Sequence, residues 1–181
     1  MQTDEEIVEL IQSGQTDLFG VIVDRYEDKM KRYSRKFLLN QDDINDIVQD
    51  VFIKAYTNIQ SVDIKRKFSS WLYRIAHNHL VNYLRKKRVI LPLLNLDTFF
   101  PHSIDQDSIN DEIDREETKD LINKSLNKLN VKYREPLILY YFQELSYKEI
   151  SDILKIPTST VGIRIKRGKE KTKTILQEYE N

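Results

Sequence analysis

From Glu5 to Arg88 apolar residues recur at three- and four-residue spacing, the period of helices that each bury one face. The pattern breaks near Ser13-Gly14, Asn40-Gln41-Asp42 and Ser61-Val62-Asp63, which divides the stretch into about four helices. Between Leu91 and Asn110 the period is lost, and Pro92, Asn95, Pro101, Ser103 and the run DQDSIND read as a linker. Helical spacing resumes near Asp111 and continues to the end, interrupted at Gln143-Glu144-Leu145-Ser146 and at Lys155-Ile156-Pro157. The pattern predicts an all-α chain: a helical domain over residues 1–90, a linker over 91–111 and a smaller helical domain over 112–178. Four Gly and four Pro in 181 residues agree with it.

Within this frame the buried stripes can be assigned. Ile44, Ile47, Val48, Val51 and Ala55 form one, leaving Asp43, Asp46, Gln49, Asp50 and Lys54 outside. Phe68, Trp71, Leu72, Ile75, Ala76 and Leu80 form the next, so the single Trp is a packing residue. Its polar faces carry Ser70, Arg74, His77, Asn78 and Asn82, followed by Arg85, Lys86, Lys87 and Arg88. His77 and His79 do not face each other on a helix, which argues against a metal site.

In LSYKEISDILKIPTSTVGIRIKRGKEK, Ser146 and Glu149 have capping-box spacing, and Ile150, Ile153 and Leu154 form a buried stripe. Pro157 ends that helix, and Thr158 or Ser159 is expected to cap a second one with Val161, Ile165 and Gly168 facing inward. This is the spacing of a helix-turn-helix, with Thr158, Ser159 and Thr160 at the end that would enter a major groove. Ile163, Arg164, Lys166, Arg167 and Lys169 are left on the outer face. Between Ile163 and Lys173 six basic residues stand against Glu170 alone, which separates the motif from a merely solvated hairpin.

Charge sharpens the picture because the net charge of zero hides segregation. Residues 1–60 carry 7 Lys and Arg against 12 Asp and Glu, and residues 61–90 carry 8 against 1. Residues 91–120 carry 2 against 9, and residues 121–181 carry 12 against 7. Two basic segments suggest two polyanion-contacting surfaces, and the acidic face of residues 43–50 suits a basic protein partner, while charge alone fits solvated helix faces equally well. With no Cys there is no disulfide framework and no thiolate metal site. No apolar run is long enough to span a membrane, and the acidic start MQTDEEIVEL does not fit a secretory signal, so a cytoplasmic location is expected. There is no Gly-rich phosphate loop, no nucleophile-His arrangement and no calcium-loop spacing in DQDSINDEIDREE. The expectation is a non-enzymatic DNA-binding protein with no cofactor, no metal and no small-molecule substrate. The residues alone leave open a stand-alone regulator whose N-terminal domain dimerises or senses.

Three blocks, in order, resemble the extracytoplasmic-function (ECF) sigma factors of bacterial RNA polymerase. DIVQDVFIKAY is similar to their region 2.2, FSSWLYRIAHNHLVNYLRKKR to regions 2.3 and 2.4, and YREPLILYYFQELSYKEISDILKIPTSTVGIRIKRGKEK to region 4. The resemblance implies docking of Asp43, Asp46, Gln49 and Asp50 on core polymerase, at the clamp of the largest subunit, with region 4 at the flap. It implies a minus-ten surface of Lys65, Arg66, Arg74, Asn78, Asn82, Arg85 and Lys86. It implies minus-thirty-five contacts from Thr158, Ser159, Thr160, Ile163, Arg164, Lys166 and Arg167, and control by an anti-sigma factor. The chain departs from the family pattern at Gly162, where a basic residue is usual, at Ile163, where a small polar one is usual, and at Asn82, where Asp is usual.

Overall fold

The computed structural model describes residues 2–90 and 113–180, and the expected linker at 91–111 lies outside the described residues. Eight α-helices are described, with no strand among the described residues: α1 (Asp4–Gln12), α2 (Phe19–Arg35), α3 (Gln41–Thr57), α4 (Phe68–Ile90), α5 (Ile113–Lys128), α6 (Val131–Tyr141), α7 (Tyr147–Leu154) and α8 (Thr158–Glu180). Short 3₁₀ turns at Thr16–Leu18 and Ile59–Ser61 join α1 to α2 and α3 to α4. The fold is all-α, as the hydrophobic period predicts.

Local chemistry accounts for the boundaries. A capping box of Thr3 and Glu6 starts α1, and the Asn40 side chain accepts the backbone N–H groups of Asp42 and Asp43 to start α3. Ser146 and Glu149 form the expected capping box of α7. That helix ends at Lys155, which takes the left-handed conformation with φ 55°, while Ser151 Oγ donates to the Ile156 carbonyl at 2.6 Å. The expected cap by Thr158 or Ser159 is corrected by the structure. The Pro157 carbonyl accepts the Val161 N–H at 3.1 Å, so Pro157 holds the cap position and Thr158 and Ser159 fill the first turn of α8. Proline's fixed φ and missing N–H suit it to the entry of a helix.

The core follows the predicted stripes. Ile44, Ile47, Val48, Val51 and Ala55 of α3 are buried together with Phe52, as are Phe68, Leu72, Ala76 and Leu80 of α4. Trp71 and Ile75 are half-buried at the margin. Helices α1 to α4 pack as one bundle, with α3 against both α2 and α4, and α8 packs on α5, α6 and α7. Gly168 is required where α8 crosses α6: a Cβ there would lie 2.8 Å from Leu137 Cδ1 and 3.2 Å from the Tyr133 carbonyl oxygen. The two bundles meet along α4 and α7.

Candidate nucleic-acid and polymerase interfaces

Helix α1 places the segment that leads into α4. Gln12 Nε2 donates to the carbonyls of Ile59 at 2.8 Å and Val62 at 3.0 Å, and Glu5 Oε1 accepts the Phe68 N–H at 2.9 Å. Glu5 thereby satisfies one of the open donors at the start of α4 from another helix. Between these anchors Asp63 turns the chain, its side chain accepting the Lys65 N–H and its carbonyl the Arg66 N–H, both at 3.0 Å. Lys65, Arg66 and Lys67 are left exposed on a fastened loop. Arg66 Nε lies 3.6 Å from Asp63 Oδ2, and with both groups largely in solvent the pair holds little energy.

The structure divides the polar residues of α4 into two sets. Asn78, Asn82, Arg85 and Lys86 are exposed, whereas Arg74 and Ser70 are half-buried in a cleft of about 590 Å³. One wall of this cleft is the loop with Lys65, Arg66 and Lys67, and the other is Ser146, Lys148, Glu149 and Asp152 at α7. Lys67 Nζ approaches Glu149 Oε1 at 3.2 Å across it. Burial raises the Glu149 carboxyl, but hydrogen bonds from Ser146 and the nearby Lys67 charge outweigh that and hold it below its ordinary value.

His77, expected on an outward polar face, instead faces the second bundle, which corrects that placement. Its Nδ1 lies 2.6 Å from Glu135 Oε1, and the Tyr33 hydroxyl donates to the same oxygen at 2.7 Å. Tyr73 donates to Gln143, and Lys36 Nζ donates to Asn123 Oδ1 at 2.8 Å while sitting 4.9 Å from the Phe142 ring centroid. Arg134 is fully buried beside them, its guanidinium 5.0 Å from the Phe37 ring centroid and its Nη1 donating to Asn127 Oδ1 at 3.2 Å. Burial pulls Arg134 down to about 10, against the opposing charge of Glu135, and pushes the Tyr33 phenol well up, with the Glu135 carboxylate adding to the rise. The sequence showed no sign of this seam, since a buried Arg-Glu pair within α6 looks like a solvated one until a second bundle covers it.

On α3 the acidic face is open. Asp46, Gln49 and Asp50 are exposed, and Asp43 is half-buried beside them. Asp50 Oδ2 lies 3.9 Å from His79 Nδ1, and burial lowers His79 although Asp50 opposes the shift. The same face continues through two residues that the sequence reading passed over, Ile53 at 55% exposure and Tyr56 at 46%. Ile53 lies three residues from Asp50 and four from Gln49, and Tyr56 lies three beyond Ile53, which was the available signal.

On α8 Thr158, Ser159, Ile163, Lys166 and Arg167 are exposed, and Thr160 and Arg164 are half-buried. Val161 and Ile165 are buried as expected. On α6, desolvation raises the Tyr133 phenol, but Lys132 and Arg167 beside it outweigh that and hold it below its ordinary value. Gly162 faces Tyr147, whose ring would lie 3.4 Å from an added Cβ.

A basic helix-turn-helix carried with a second helical bundle that has its own basic loop and an acidic outer face is the arrangement of a nucleic-acid-binding protein. The family described as Sigma-70 region 2 matches residues 22–89, and Sigma-70, region 4 matches residues 119–172. The ECF RNA polymerase sigma factor SigW of Bacillus subtilis (strain 168) is 38% identical, over 94% of this chain and 95% of that one. The chain belongs to the ECF sigma factors, the subunits that direct promoter-specific transcription initiation by RNA polymerase. Its fold is shared with CnrH in complex with the cytosolic domain of CnrY, at TM-score 0.73 and 24% identity over 98% of this chain and 99% of that one. It is also shared with the sigma factor RpoE in complex with the anti-sigma factor NepR from Bartonella quintana, at TM-score 0.71 and 20% identity over 88% and 96%.

Proposed function

We propose that residues 1–90 dock on core RNA polymerase and capture the minus-ten strand, that residues 112–178 read the minus-thirty-five duplex, and that residues 91–111 span the two. Asp43, Asp46, Gln49 and Asp50 form the docking face toward the polymerase clamp, with Ile53 and Tyr56 supplying its desolvated centre. Lys65, Arg66, Arg74, Asn78, Asn82, Arg85 and Lys86 hold the unpaired strand, Asn78 by hydrogen bonds to a base edge and the cations through phosphates. Thr158, Ser159, Thr160, Ile163, Arg164, Lys166 and Arg167 meet the upstream duplex in the major groove. No catalysis is assigned to this chain, because polymerase makes the RNA. What supports this reading is a fastened basic loop and an acidic docking face on one bundle, with a basic helix-turn-helix on the other. Family membership favours it over the stand-alone regulator.

Strand capture requires the bundles to separate. Arg74 sits in the cleft closed by α7, and a nucleotide strand laid along the loop would collide with Glu149 and its neighbours. The seam combines hydrogen bonds at Glu135, Gln143 and Asn123 with the packing of Arg134 on Phe37 and of Lys36 on Phe142, and water can replace the hydrogen bonds on opening at small net cost. Docking on polymerase holds the open form, and an anti-sigma factor that covered the acidic α3 face would hold the chain away from polymerase.

The reading is tested by mixing the chain with core polymerase and transcribing a genomic library. Association and discrete promoter-dependent starts are expected. Asp50→Lys should abolish association while leaving the helical content unchanged, because Asp50 is 62% exposed and its partner His79 is distant. Full binding by that variant would move docking off α3.

A further inference from the structure

We propose that Ile163 reads the 5-methyl group of a thymine in the upstream promoter duplex. The proposal rests on α8 being the duplex-reading helix and names what that helix reads at its most prominent position.

The position comes first. Val161, Ile165 and Gly168 are buried and mark the inward face of α8. At about 100° per residue, Ile163 lies roughly opposite them, directly outward. Its side chain is 52% exposed, and its neighbours one turn away, Ser159, Lys166 and Arg167, are exposed as well. Gly162 beside it adds no side chain that could shield it.

The chemistry then limits what Ile163 can recognise. The major-groove edge offers hydrogen-bond donors, acceptors and one apolar group, the thymine methyl. Ile has no donor or acceptor, so against guanine, adenine or cytosine it would strip water from a polar edge and return nothing. Against thymine it buries its own exposed carbons together with the methyl. A β-branched side chain on a helix holds essentially one χ1 rotamer, so little side-chain freedom is lost on contact. The surrounding residues do different work: Arg167 can reach guanine bidentately and Lys166 can hold phosphate. Ile53 is equally exposed but belongs to the acidic face of α3, where DNA would be repelled. Ile163 stands among cations.

The test uses holoenzyme reconstituted from the full chain and core polymerase on a promoter selected from a random upstream library. Each upstream thymine is replaced in turn by deoxyuridine, which removes the methyl and leaves every hydrogen-bonding group in place. One replacement should weaken holoenzyme binding about fourfold, the value of one buried methyl. The same replacement should have no effect with Ile163→Ser, whose selected library should also lose the thymine preference there. Equal sensitivity of both proteins at every position would overturn the proposal, as would no sensitivity in either. Promoter-dependent initiation by either holoenzyme reports separately on α8 as a reading helix: a library that selects no upstream sequence at all would sink that reading, whereas a selected sequence without methyl dependence sinks only the role of Ile163. Thermal unfolding of Ile163→Ser should match the parent, because the residue is exposed.

Discussion

On α8 the basic residues Lys166, Arg167 and Lys169 of the reading face stand exposed, and Arg164 is half-buried. On α4 the outward residues meet two fates: Asn78, Asn82 and Arg85 reach solvent, while Tyr73 and His77 are taken up by Gln143 and Glu135 and Arg74 is drawn into a cleft. Both helices are amphipathic and both carry a run of basic residues, so their sequences alone present them as equals. The difference is that α8 has its partners, α5, α6 and α7, all on one side, whereas α4 is sandwiched between its own bundle and α7. On the proposed reading, one surface meets duplex DNA as it stands and the other is reached when the bundles part. That order suits a factor whose upstream contact needs only duplex while its downstream contact needs a separated strand.

The comparison can be broken from the α8 side with the largest effect. Gly168→Ala forces a Cβ against Leu137 and against the backbone oxygen of Tyr133, which cannot rotate away. Overpacking there should cost up to about 3 kcal/mol, measured by urea unfolding. Upstream duplex binding should fall with it, while a single-stranded minus-ten oligonucleotide still binds. Equal loss of both would mean that the two surfaces are not separable.

The α4 side is tested by Glu135→Leu, which removes the acceptor shared by Tyr33 and His77. Leaving the buried Tyr33 hydroxyl without a partner should cost the closed form about 2 kcal/mol. Because the chain has no Cys, single cysteines placed at the exposed Thr57 and Lys171 can carry distance probes. The distance distribution should shift outward and single-stranded DNA binding should rise. An unchanged distribution would show that other contacts hold the seam.

Arg167→Ala should weaken upstream duplex binding about tenfold with no change in single-strand binding. A uniform loss over all upstream sequences would reduce Arg167 to a phosphate contact. The smallest effect concerns pH. Against the raising effect of burial, Glu149 is held below its ordinary value first by Ser146 of its own capping box and then by Lys67 across the cleft, so only the Lys67 part acts on closure; that part is fully present above the ordinary carboxylate range, near 4.5, and is lost as pH falls through the lowered value. The same distance probes should report a slight opening on acidification that Glu149→Gln no longer shows.

Much of the architecture was legible in the chain. The stripes of α3 and α4, the break at Ser61-Val62-Asp63, the Ser146-Glu149 capping box and the inward Val161, Ile165 and Gly168 all follow from period and local hydrogen bonding, which depend on nearby residues. The cap of α8 was misread because Thr and Ser are good caps in general, while here the left-handed Lys155 delivers Pro157 to that position. Ile53 and Tyr56 were missed because the outer face of α3 was read from its polar and charged residues alone, and both are apolar or aromatic positions outside the buried stripe. The anchoring of the basic loop by Gln12 and Glu5 was invisible, since those contacts join residues about fifty to sixty positions apart.

By itself the sequence determined that the chain is helical, that it carries two basic surfaces and an acidic one, and that one basic surface is a helix-turn-helix. Hydrophobic period and charge are local properties and survive without coordinates. Only the tertiary structure decided that Glu135 gathers Tyr33 and His77, that α7 walls the cleft around Arg74, and that Lys67 meets Glu149 across it. A helix's sequence fixes which of its residues share a face, but what covers that face is set by the other helices packed around it.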